Sequence, residues 1–96
     1  MPAYIHANIE VLDPVKYDEY RRQVKDTIAA FGGRFLVRGG AVERLEGEGP
    51  AAQRQVLLEF ADMATLKAWY QSPGYQPLIE LRQSCSRGTL DAIEGA

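Results

Sequence analysis

Phe31-Gly-Gly-Arg-Phe-Leu-Val-Arg-Gly-Gly40 is the stretch that decides how the chain is read. Two glycine pairs bracket a short run, Arg34-Phe35-Leu36-Val37-Arg38. Glycine accepts positive φ without steric penalty, so Gly32-Gly33 can close a helix and turn the chain into a strand. Gly39-Gly40 has no helix to close, and a bulge or sharp bend in an edge strand is predicted there. The remaining chain reads as a frame around this strand, which carries an arginine at each end.

Immediately upstream, Tyr17, Tyr20, Val24, Ile28 and Phe31 recur at three- and four-residue spacing. They predict a helix with one apolar stripe, and Arg21, Arg22, Lys25 and Asp26 lie off it. Asp13 can cap its free N–H groups and Pro14 suits its first position. Before it, Ala3, Ile5, Ala7, Ile9 and Val11 alternate with Tyr4, His6, Asn8 and Glu10. A period of two over 3–11 predicts a strand with one apolar face.

Downstream, Ala41–Glu46 is expected to continue as a second short strand, and residues 47–52 form a loop by composition. Arg54–Phe60 is the next strand, nearly continuous in apolar residues as a buried inner strand requires. Asp62 caps a short helix over 63–70, with Leu66 and Trp69 or Tyr70 inward. Ser72-Pro73 is expected to break this helix and restart it, Ser72 as cap and Pro73 in the first position. The restarted piece carries Tyr75, Leu78, Ile79, Arg82 and Cys85. Gly88 ends that region, and residues 89–94 form the last strand.

The order β-α-β-β-α-β predicts a ferredoxin-like α+β fold: one antiparallel sheet with both helices on one face. Right-handed crossovers give strand order 4-1-3-2. The other sheet face, with Tyr4 and Leu57, stays uncovered in a monomer, and pairing two sheets face to face would cover it. Ninety-six residues make a single domain over 1–96, large enough for one core.

The formal charge of −2 gives no basic footprint for nucleic acid or an anionic membrane. Stacking aromatics at matched central-strand positions are also missing, which argues against RNA binding. One cysteine and one histidine cannot build a disulfide framework or the usual zinc or iron–sulfur site within one chain. No metal or cofactor is expected. With no signal peptide and no long apolar run, the cytoplasm is the expected location.

The set Asp13-Pro-x-x-Tyr17-x-x-Tyr20, Gly32–Gly40, Glu46-Gly47, Leu58-Glu59-Phe60 and Trp69-Tyr70-x-Ser72-Pro-x-Tyr75 resembles a bacterial family, domain of unknown function 1330, of the dimeric α/β-barrel superfamily. The resemblance spans nearly the whole chain. It implies a ferredoxin-like protomer and a homodimer whose sheets face each other. It implies no established activity. Monooxygenases and muconolactone-isomerase-like proteins belong to the wider superfamily, but their chemistry would come here only as analogy from fold.

Several residues could carry chemistry. His6, on the polar side of a central strand, could act as a general base, or simply be satisfied within a dimer interface. Glu59, between Leu58 and Phe60, could accept a proton near His6, or form a salt bridge to Arg34, Arg38 or Arg82. Arg34 and Arg38, four apart on a strand, are expected to share a face. They could clamp an acidic metabolite, or pair with Glu59, Glu43 or a carboxylate of a second copy. Trp69, Ser72, Tyr75 and Arg82 cluster around the helix break, where aromatics with polar tips could line a small-molecule pocket or merely fill the core. Cys85 reads as a small inert hydrophobe.

Two functions follow. One is a dimer that binds or transforms a small acidic or oxygenated metabolite, with His6 or Glu59 moving a proton and Arg34, Arg38, Trp69, Ser72, Tyr75 and Arg82 holding the ligand. The other is a non-catalytic dimeric module. The first requires these side chains to converge.

Overall fold

The computed structural model describes residues 1–50 and 53–96. The elements in order are β1 (Ala3–Val11), α1 (Pro14–Ala30), β2 (Arg34–Arg38), β3 (Arg54–Phe60), α2 (Met63–Tyr70), α3 (Gln76–Cys85) and β4 (Ser86–Glu94). The strands form one antiparallel sheet in the order β2-β3-β1-β4, the ferredoxin-like arrangement. None of the helices among the described residues is long and apolar enough to cross a membrane.

Alternation in β1 separates two faces. Ala3, Ile5, Ala7 and Ile9 are buried under the helices, together with Leu58 and Phe60 of β3. Tyr4, His6 and Asn8 turn the other way, opposite Glu59, Leu57 and Gln55 of β3 and Ile93, Asp91 and Thr89 of β4. The helices complete the core with Tyr17, Tyr20, Val24, Ile28, Leu66, Trp69, Tyr75 and Leu78. Burying a large apolar side chain contributes about 1.5–3 kcal/mol, so this cluster is the main stabilising term.

The Asp13 carboxylate accepts from the Val15 and Lys16 amides and starts α1. Gly32, at φ +71°, ends it, and the Gly33 amide returns to the Ile28 carbonyl at 3.0 Å. The Asp62 carboxylate accepts from the Thr65 amide at 2.7 Å and starts α2; these hydrogen bonds hold its pKa below the usual carboxylate value.

Three local expectations are corrected. Residues 41–46 are irregular and exposed rather than a strand, because β2 ends where Gly39 turns at φ +72°. The bend expected at Gly39-Gly40 is present at Gly39, and β2 carries a second irregularity inside the strand, where the register against β3 shifts between Phe35 and Val37. Ser72 does not cap α3. Its hydroxyl donates to the Trp69 carbonyl at 2.7 Å, its own carbonyl takes the Tyr75 and Gln76 amides, and α3 begins at Gln76 with Pro77 in its first turn. Gly88 lies inside β4 rather than before it: β4 starts at Ser86, and at Gly88 a Cβ would come within 1.9 Å of the Asn8 carbonyl oxygen. Of the loop expected over 47–52, residues 51 and 52 lie outside the described residues.

Candidate functional site

The shifted register in β2 sorts the arginines. Arg34 pairs with Glu59 in register and faces the open side of the sheet. One extra residue later, Arg38 pairs with Val56 and faces the helices. A regular strand would have put both on one face; the bulge puts them on opposite faces.

On the open face several polar groups pair with one another. Arg34 Nε donates to Glu59 Oε1 at 2.8 Å. His6 Nε2 lies 2.7 Å from Gln55 Oε1, so that nitrogen carries the proton, and Gln55 Nε2 donates to Asn8 Oδ1 at 3.0 Å. Arg87 forks onto Glu10, which also accepts from Gln53. Between these pairs lie the exposed side chains of Val37 and Ile93 and the half-buried Leu57.

Between α1 and the sheet is a chamber of a different character. Its walls are apolar, from Ile5, Ala7, Val24, Ile28, Leu58 and Leu90 among others. Its polar lining consists of Arg21, Arg38, Arg54, Arg82, Tyr17, Tyr20 and Tyr75, with Trp69 beside them, and it contains no carboxylate. The polar groups gather at one end because four elements end or begin there. Tyr17 and Arg21 stand on the first turns of α1. Arg54 opens β3 opposite Ile9. Arg82 stands in the last turn of α3, whose Cys85 carbonyl takes the Leu12 and Asp13 amides.

The tyrosines and the tryptophan are fixed by contact. The Tyr20 and Tyr75 hydroxyls share one hydrogen bond of 2.8 Å. Burial raises the pKa of both phenols, that of Tyr20 strongly, so they stay protonated and act as donors rather than bases. Trp69 stacks on Tyr75 at 4.1 Å between ring centroids and donates from Nε1 to Thr27 Oγ1 at 3.1 Å.

The arginines are short of partners. Arg38 donates to the Arg21 carbonyl at 2.9 Å and lies over Phe35. Arg54 lies over the Tyr17 ring at 5.4 Å and packs against Gly39, where a Cβ would sit 2.2 Å from its Nη1 and the guanidinium would have to shift. The Nε atoms of Arg21 and Arg54 are buried without a hydrogen bond. Arg82 is only 7% exposed and, among the described residues, has no ion-pair partner; its field acts on Tyr20 and Tyr75. Arg21 alone meets a carboxylate, Asp18 at 3.4 Å, and both groups are largely solvated. The room left is narrow, about 30 Å³ of water-accessible space, or about two waters.

The residues singled out in the sequence therefore divide. Arg38, Trp69, Tyr75 and Arg82 surround the chamber. His6, Glu59 and Arg34 lie across the sheet from it, and Ser72 is spent in the α2–α3 turn. Sequence reasoning missed Arg21, Arg54, Tyr17 and Tyr20 as site residues. A signal existed for Arg54, which has the same parity in β3 as the inward-facing Val56, Leu58 and Phe60. Among the described residues no group of three or more His, Cys, Asp or Glu is placed to hold a metal ion. Cys85 is buried, its thiol is pushed up by burial, and it donates to the Leu81 carbonyl.

An antiparallel four-stranded sheet with its helices on one face and a chamber under them defines a ferredoxin-like α+β protein. The chain belongs to the family described as domain of unknown function (DUF1330), whose profile matches residues 2–96. A protein of unknown function from Rhodopseudomonas palustris is similar in structure, with TM-score 0.79, 17% identity, and 99% of this chain and 82% of that one covered. A dimeric ferredoxin-like protein of unknown function from a Jannaschia species is similar at TM-score 0.70 and 18% identity, over 99% and 100% of the two chains. SnoaB of Streptomyces nogalater, a cofactor-independent oxygenase, is similar at TM-score 0.65 and 12% identity, over 99% and 92%. At these identities the likeness is one of fold. No curated protein matches the sequence.

Proposed function

We propose that this protein binds a small anionic metabolite in the chamber between α1 and the sheet, and that it does so as a homodimer joined through the open sheet faces. The observation that carries the first part is Arg82: buried, permanently charged, and without a countercharge among the described residues. A guanidinium cannot discharge by losing its proton, and at 7% exposure Arg82 keeps only slight contact with water, so a countercharge would stabilise it. A ligand carboxylate would supply the missing charge, and the Tyr20–Tyr75 pair has one O–H left to donate to it. The apolar walls would take the rest of the molecule.

The homodimer rests on the exposed Val37 and Ile93 around Leu57, and on the dimeric Jannaschia relative of the same fold. A purely structural module is favoured by the open face, where the polar groups pair off, but it leaves the arginine-lined chamber without a purpose.

Trp69 is the sole tryptophan and lines the chamber, so its fluorescence reports occupancy. Titration with benzoate and hexanoate, followed by this signal and by calorimetry, should saturate. Arg82→Gln should weaken binding about tenfold or more, the range of a charge-assisted hydrogen bond. If neither acid gives saturable binding, or if a folded Arg82→Gln protein binds as well as the parent, the reading fails.

A further inference from the structure

Four arginines around one chamber are more than one carboxylate needs. We propose that the ligand is a dianion with an apolar middle: one anionic group sits at Arg82 and the Tyr20–Tyr75 hydroxyls, the other at Arg54 with Arg38 and Arg21. This rests on the anion-binding reading above and goes further by fixing the substrate class.

The strand order supplies the argument. Arg38 is on β2 and Arg54 on β3, on one flank of the chamber, and Arg21 joins them through the Arg38 bond to its carbonyl. Arg82 comes from α3 on the other flank, where it borders a second, open groove with Ile9 of β1 and Leu90 of β4. β1 lies between β3, which carries Arg54, and β4, which borders the groove at Arg82, so the two cationic groups stand on opposite sides of β1. Ile9, Ala7 and Leu58 form the floor between them. Among the described residues no carboxylate lines the chamber, and of the four arginines only Arg21 meets one, the solvated Asp18. Like charges gathered at low dielectric repel, and a ligand charged at both ends would relieve both sites at once.

The flanks differ in exposure. Arg82 is buried and Arg38 is exposed. The water-accessible room is about 30 Å³, so the ligand seats its first anionic group at Arg82, and the exposed Arg38 side chain shifts to admit the second group and contact it beside Arg54. Solvent-facing side chains reorient on the picosecond-to-nanosecond scale, so this step costs little time.

The test is calorimetry on the full chain with matched pairs, hexanoate against adipate and benzoate against terephthalate, in a buffer free of phosphate and citrate. The expected result is that each diacid binds about tenfold or more tightly than its monoacid, as a second charge-assisted contact predicts. Arg54→Gln should erase that advantage, bringing diacid affinity down to that of the matched monoacid in the same variant. Equal affinity for mono- and diacids overturns the dianion inference while leaving the anion site standing. A diacid advantage that survives Arg54→Gln overturns the placement of the second group. No saturable binding of any of the four acids overturns this inference and the anion site together.

Discussion

Tyr20 and Tyr75 have two O–H donors between them and use one on each other. The other proton is buried with no second acceptor among the described residues, which makes the pair incomplete without a ligand or a water. Burial also sets its pH response. The folded pKa of both phenols is raised, so the stability they contribute is fully present below the unfolded value of about 10 and is lost as pH rises toward their folded values. Tyr20→Phe should cost about 0.5–1.5 kcal/mol at neutral pH through the lost hydrogen bond. It should also flatten the decline in unfolding temperature between about pH 10 and 12. Parallel declines for the parent and the variant would show that Tyr20 ionises as freely in the folded chain as in the unfolded one.

At the scale of elements, the glycines of the Gly32–Gly40 stretch do different jobs. Gly33 closes against the core: a Cβ there would lie 2.6 Å from Phe60 and 2.8 Å from Ile28. Gly40 faces open space at an ordinary φ. Gly33→Ala should therefore destabilise by about 1–3 kcal/mol through overpacking. Gly40→Ala should be neutral or stabilise by up to about 1 kcal/mol by restricting the unfolded chain. Urea unfolding of both variants decides it, and equal effects would refute the packing role of Gly33. The alternation in β1, the Asp13 cap and the glycine stop made the architecture legible in the sequence, because each is a local signal with one structural solution. The extra residue between Phe35 and Val37 was not legible: no glycine marks it, and only the pairing with β3 fixes where it falls. That one residue moved Arg38 into the chamber and left Arg34 with Glu59. Arg82 was visible on the stripe with Leu78 and Cys85, but its lack of a partner is a property of the assembled fold.

The two faces of the sheet divide the whole molecule's work: the helix side encloses the arginine chamber and the open side is the proposed dimer surface. This separation makes assembly testable without touching the ligand site. Leu57 sits at the centre of the open face, between His6 on β1 and Val37 on β2, and its side chain points away from the chamber. In a face-to-face dimer related by a twofold axis, Leu57→Lys places two new charges in one interface. Each uncompensated buried charge costs about 3 kcal/mol or more, enough to dissociate the dimer at micromolar concentration. Native mass spectrometry and light scattering should show a dimer for the parent chain and a monomer for Leu57→Lys. Because β1 and β3 keep their inward residues, the monomer should retain acid binding at the chamber within about threefold. A dimer that survives Leu57→Lys combined with Ile93→Lys would place the interface elsewhere. Loss of acid binding in a folded monomer would mean that the second copy completes the chamber, and that the two faces act together rather than separately.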